Sequence, residues 1–173
     1  MLRTNSTSNT QQSPRNHRLF NVSEVKRTYE LLVSGIVEIR ALEASLDQNG
    51  RYTRTYGGYF DNSNDLIKAI STIRSAMGIY ITLHPCNPDI IHRAKNKLIE
   101  QKKDFSTPDR YITSYQWLAI DCDPDRVSGI SSTDEEHEKA LAMCRKICEA
   151  LSALGWPLPI LADSGMAITC SIE

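Results

Sequence analysis

No stretch of this 173-residue chain approaches the roughly 18 consecutive apolar residues that cross a bilayer. Its first residues also lack the apolar core of a secretory signal. Charge of one sign is missing as well: 20 Lys and Arg stand against 21 Asp and Glu, a net charge of −1. That excludes a histone-like or tail-driven nucleic-acid binder, which needs a large basic excess. It leaves room for an enzyme with a local basic groove. The five cysteines are odd in number and form no C-x-x-C. Cys144 and Cys148, one helical turn apart, read as reduced packing residues. Together these features predict a cytoplasmic protein with reduced thiols and no membrane partner. No internal repeat and no long linker interrupts the chain.

What is present is one domain behind a polar leader. Residues 1–19 are rich in Ser, Thr, Asn and Gln and carry Arg3, Arg15 and Arg18 without an acid, giving +3 and leaving −4 on the remainder. Such a leader cannot bury enough apolar surface to offset its ordering entropy and is expected to be disordered. Residues 20–173 form the domain. Asn21, with Glu24 three residues on, opens a first helix carrying Val22, Val25, Tyr29, Leu32 and Val33 on one face and stopping at Gly35. Ile36 to Ala44 alternates as a strand, with Val37, Ile39 and Ala41 on one side and Glu38, Arg40 and Leu42 on the other. Asn49-Gly50 signals a hairpin, and the return strand runs from about Tyr52 to Phe60.

Asp61 or Asn62 caps a second helix with Leu66, Ile67, Ile70 and Ile73 inward, ending at Gly78. Ile79 to Leu83 reads as a buried strand that leaves the sheet at His84-Pro85. A short helix spans about Pro88 to Ile99, and 101–110 is a polar loop. Trp117 to Asp123 is the next strand. Ser132 and Glu135 suggest a capping box for a long helix to Leu154, with Leu141, Cys144, Ile147, Cys148, Leu151 and Leu154 inward. Asp134, Glu135, Glu136 and Glu138 crowd its first turns and complement the helix dipole. A last strand covers Ile160 to Ala162. The fold class is α/β or α+β: a mixed sheet with packed helices.

The chemistry concentrates at Asp121 and Asp123. Residues two apart on a strand share a face, so Trp117, Ala119, Asp121 and Asp123 point one way and Leu118 and Ile120 the other. Pro124 ends the strand and places the pair at its open end. Two like charges there call for a cation. Mg²⁺ or Mn²⁺ suits carboxylate oxygens and keeps positions for water and phosphate, and paired ions of this kind serve phosphoryl transfer. A solvated Asp123-Pro124-Asp125 turn is the competing structural account. Arg40 needs an anionic partner on its sheet face, either a phosphate or its same-face neighbour Glu38. His84 reads as a hydrogen-bonded structural residue. The basic stretch His92, Arg93, Lys95, Lys97, Lys102 and Lys103 fits a phosphate backbone or a solvated helix face interspersed with Asp89, Glu100 and Asp104.

Several segments, in order, resemble the catalytic domain of bifunctional DNA primase/polymerases of the archaeo-eukaryotic primase superfamily. They are Val37-Glu38-Ile39-Arg40-Ala41-Leu42, Gly58-Tyr59-Phe60-Asp61, Ile79-Tyr80-Ile81-Thr82-Leu83, Trp117 to Pro124, Ile130 to His137, and Leu161-Ala162-Asp163-Ser164-Gly165. The resemblance covers about Val33 to Gly165. It implies an RRM-like catalytic core in which Asp121 and Asp123 are catalytic and bind Mg²⁺ or Mn²⁺. It places Ser164 near the nucleotide phosphates and Arg40 as a further phosphate contact. The implied activity is template-directed nucleotidyl transfer in DNA replication, with a DNA template and nucleotides as partners and a replicative helicase as an optional one.

The chain departs from the family at two points. His84 stands where the family has Asn, and after Gly165 the family continues Asn-Gly-Tyr-His-Leu-Leu-Tyr-Arg. Here Met166 to Glu173 follows, and no His comes after His137. The second-motif His and a third acidic motif are therefore missing. A frameshift accounts for the tail: AAT GGC TAT CAC CTG CTC TAT CGA, less one A, reads ATG GCT ATC ACC TGC TCT ATC GA, or Met-Ala-Ile-Thr-Cys-Ser-Ile and then Glu or Asp. The expectation is a domain incomplete at its C-terminus, short of at least one strand, with Trp117 left uncovered. Sequencing the locus past the codon for Gly165 checks this; no open frame carrying the His motif in any register would refute it. The alternative function is a non-catalytic remnant with weak or no nucleic-acid binding. A metal-dependent phosphatase or nuclease shares the acidic pair alone.

Overall fold

The computed structural model describes residues 20–47, 52–102, 105–124, 131–163 and 168–172, the last of these by their backbone. The polar leader, the Asn49-Gly50 turn, Lys103 and Ser164 lie outside the described residues. Three α-helices and seven strands follow the order α1 (Val22–Leu32), β1 (Val37–Ala44), β2 (Arg54–Phe60), α2 (Ser63–Ile70), β3 (Gly78–Ile81), β4 (Ile99–Glu100), β5 (Leu118–Cys122), α3 (Asp134–Ala153), β6 (Ile160–Asp163) and β7 (Ile168–Ile172) among these residues. Where one mixed sheet is expected from sequence, there are two, with orders β3-β1-β2-β4 and β5-β7-β6. All their strand pairs are antiparallel. The class is α+β.

The first sheet forms because Val37–Ala41 alternates, and a register shift between Ala41 and Ala44 returns Ala44 to the same face. Val37, Ile39, Ala41 and Ala44 face a core with Phe60, Leu66, Ile70 and Ile73, over which α1 and α2 pack. Asn21 caps α1 by accepting from the Ser23 and Glu24 amides at 2.9 and 3.4 Å. Glu24 does not close a capping box; it binds Arg27 at 2.9 Å. Asn62 caps α2 through the Asp65 amide at 2.9 Å. That helix ends at Ile70, well before Gly78.

Two expectations fail at the edges of this sheet. Strand β3 is an edge strand and not a buried one: Tyr80 is 55% and Ile81 36% exposed. An apolar run is equally at home on a half-covered edge, and periodicity does not separate the two. The helix expected from Pro88 to Ile99 is a 3-10 helix over Pro88–Arg93, and Ile99 lies on β4. Ile90 and Ala94 from this segment bury Tyr59 and Cys86 in a second core on the opposite face of the sheet.

On that face lies a buried acid. Glu38 is 2% exposed, and its carboxylate accepts from the Thr107 amide at 2.8 Å and lies 3.8 Å from Arg40 Nε. Its cross-strand neighbour Tyr59 is fully buried and shares a 3.0 Å hydrogen bond with Thr107 Oγ1. Burial pushes the Tyr59 phenol above its usual range, because the phenolate would lose its hydration.

The second sheet carries α3. Ile120 and Cys122 of β5 pack on Leu141, Cys144, Ile147, Cys148 and Leu151 of the helix, the inward face anticipated from spacing. Leu154 is the exception, being 77% exposed just past the helix end. The capping box sits one residue later than expected: Thr133 is the N-cap, donating its amide to Glu136 Oε2 at 2.8 Å and accepting from the Glu136 amide at 3.3 Å. Ile168–Ile172, within the tail after Gly165, is the central strand of this sheet, between β5 and β6. Trp117, expected to lie uncovered, is 9% exposed with its indole N–H donating to Leu32 O at 3.0 Å.

Burial also pushes the Cys144 thiol up to about 12, with Cys122 and Cys148 adding to the shift. Tyr59 and Cys144 both hold their protons more tightly folded than unfolded, so their contribution to stability is present below the unfolded values, about 10 and 9, and fades as pH rises past them. Denaturation midpoints should fall between pH 9 and 12, and the Tyr59→Phe protein should lose less over that interval. An unchanged slope in the variant would contradict the assignment.

Candidate metal centre

Strand β5 ends where the sequence places its acids. Asp121 and Asp123 are exposed and the intervening Cys122 is buried at 7%. The alternation continues one residue past the last strand residue, so both aspartates leave from the side opposite α3. The pairing is firm along the strand: Leu118 to Cys122 matches Ile172 to Ile168 residue for residue. The start of β5 is tied back to the first half of the chain. Gln116 receives the Ser34 hydroxyl at 2.5 Å, and its amide donates to His84 Nδ1 at 3.3 Å. His84 also meets Tyr115 edge-on at 4.9 Å, which is the structural role read from sequence.

Because β5 and β6 each run antiparallel to β7, they are parallel to one another, joined by α3 as a split β-α-β unit. Ligands of α/β crossovers gather at the carboxyl ends of such strands. Asp121, Asp123 and Asp163 lie at this end. Asp163, in register with Ile168 and through it with Cys122, belongs to the α3 side. There His137, from the start of α3, places Nε2 3.2 Å from Asp163 Oδ2. Its Nδ1 is buried without a hydrogen-bond partner. The His137–Asp163 pair spans 26 residues and a helical crossover. No spacing signal in the sequence could have found it, beyond Asp163 closing an apolar strand.

The remaining site residues fall elsewhere. Arg40 sits on β1 of the other sheet with Glu38 as its partner, its side chain 41% exposed. Glu38 thus supplies the anion that a guanidinium on a sheet face requires, and Arg40 is not brought beside Asp121 and Asp123 in one sheet. Of the basic stretch, Lys95 pairs with Asp61 at 3.6 Å and Arg93 lies over the Tyr111 ring at 5.1 Å. The Asn96 and Asn62 amides, with Lys95, hold the Asp61 carboxyl below the usual carboxylate range.

A divalent cation fits the donors on β5. Both are hard carboxylates, exposed on one side of one strand end. Among the described residues, no three His, Cys, Asp or Glu side chains stand together as a metal-holding group. A cation there would take the two carboxylates from the protein and water or phosphate oxygens in its remaining positions, a division natural to Mg²⁺. Among the described residues no helix is long and apolar enough to cross a membrane. Compared with protein-family models, curated proteins and solved structures, the chain matches none.

Proposed function

We propose that this chain is a fragment of a DNA primase/polymerase catalytic domain, with an RRM-like core in its second half. Asp121 and Asp123 hold Mg²⁺ or Mn²⁺ for template-directed nucleotidyl transfer. The observation that supports it most is the outward-inward-outward pattern of Asp121, Cys122 and Asp123 at the carboxyl end of β5, added to the ordered motif resemblance from Val33 to Gly165. The bound metal would neutralise charge on the phosphates during transfer. Ser164 would lie near those phosphates. Arg40, already held by Glu38, is the weakest member of the set.

For the 173-residue chain by itself, the second reading gains support. Strand β7 carries no His, and none follows His137. Transfer relies on several preorganised charges around the phosphates, and two pieces of that constellation are missing. The chain alone should incorporate no nucleotide on a primed or unprimed DNA template with Mg²⁺ or Mn²⁺. Template-directed incorporation above background that disappears in Asp121→Ala would show that other residues replace the missing ones.

A further inference from the structure

The core between the second sheet and α3 is built around thiols. Its two buried members are both cysteines: Cys144, fully buried, and Cys122, 7% exposed. Cys148, half-buried one turn along α3, packs against them. All three are reduced. Leu, Ile or Val would fill such a core with more apolar surface. Three convergent thiols, one of them reachable from solvent, can pass an oxidising equivalent inward.

We propose that Cys122, Cys144 and Cys148 form a thiol relay, in which a hydroperoxide oxidises Cys148 and the settled product is a Cys122–Cys144 disulfide clamping β5 to α3. In the first step the Cys148 sulfur attacks hydrogen peroxide. The O–O bond breaks, one oxygen stays as a sulfenic acid, and the other leaves with the thiol proton as water. The Cys144 sulfur then attacks Cys148 Sγ. The S–O bond breaks, and hydroxide departs with the Cys144 proton as the second water.

The resulting Cys144–Cys148 bond lies within one helix turn. Residues four apart on a helix hold their Cβ atoms about 5–6 Å apart, whereas a relaxed disulfide needs about 3.5–4.5 Å. The strained bond is therefore the better electrophile. The Cys122 sulfur attacks Cys144 Sγ, the helix-internal bond breaks, and Cys148 recovers a proton from Cys122. In balance, two thiols are oxidised and one peroxide is reduced to two waters. The clamp closes at the residue between Asp121 and Asp123, fixing the end of β5 whatever that end binds.

Trypsin distinguishes the products. It puts Cys122 on peptide 111–126, Cys144 on 140–145 and Cys148 on 147–173, because Arg145 and Lys146 intervene; Cys170 shares the last peptide, and fragment ions from the residues between them tell the two thiols apart. The full chain is treated with hydrogen peroxide, blocked with an alkylating agent, digested without reductant and mapped by mass spectrometry. The 111–126/140–145 cross-link should dominate and vanish with dithiothreitol. Cys148→Ser should slow its formation by about tenfold or more, since the solvent-reachable thiol is gone. Oxidation that stops on Cys148, a dominant 140–145/147–173 product, an untouched wild-type chain, or a Cys148→Ser protein that cross-links at the wild-type rate would each overturn the relay. The wild-type map needs no variant to fold.

Discussion

A chain ending at Gly165 should lose its second sheet. Among the described residues, strand β7 is the sole bridge between β5 and β6: β5 takes five register pairs from it and β6 four. Without it neither strand has a described sheet neighbour, and their backbone polar groups return to water or remain unpaired. An isolated pair of short strands is marginal even when it is paired. Helix α3 would then lose the surface on which Cys144, Leu141 and Leu151 pack, and most helix stability in a protein comes from such packing. Hydrogen exchange should show protection lost throughout α3 and β5 while β1 and β2 retain theirs. Equal protection in both chains would mean that β7 is dispensable.

Gly58→Ala should cost about 3 kcal/mol or more, combining overpacking with broken backbone hydrogen bonds. A Cβ at this position would overlap the Lys97 carbonyl oxygen and come within 2.9 Å of the Lys97 carbonyl carbon. These are backbone atoms with no rotamer to change. The segment cannot retreat freely, since the Tyr59 amide donates to Ala94 O at 3.0 Å and the Asn96 amide to Tyr59 O at 2.8 Å. Relief of the clash pulls both bonds apart and loosens Ile90 and Ala94 over Tyr59. Urea midpoints, compared at equal slope, check this. A loss below about 1 kcal/mol would place the 94–97 segment farther from β2 than described, because an unclashed Gly→Ala change on a strand is otherwise mild.

The first sheet was legible because Val37 to Ala41 alternates, the register shifting only between Ala41 and Ala44, and both helices that cover it announce their starts with an asparagine. The long helix was legible by its apolar face, although its cap fell on Thr133 rather than Ser132, adjacent hydroxyls that serve equally well. Strand β7 was not legible. Ile168 to Ile172 is short, mixes apolar and polar residues, and pairs with partners about 50 and about 8 positions upstream. Its place between β5 and β6 is set by tertiary pairing and not by local pattern. The aspartate pair was readable from period-two alternation alone. His137 against Asp163 was not, since that contact exists after α3 folds back across the sheet.

The most direct test of the account is Mn²⁺ binding to the full chain, followed by water-proton relaxation with Mg²⁺ as competitor. The account predicts a saturable site that Mg²⁺ displaces, abolished in Asp121→Asn and in Asp123→Asn, while Asp109→Asn, an exposed acid elsewhere on the chain, binds as the wild type does. Because Asp121 and Asp123 are exposed, both variants should melt within about 1 kcal/mol of the wild type. Binding that survives both substitutions, or no saturable binding in the wild-type chain, would contradict the assignment of a metal centre to the end of β5.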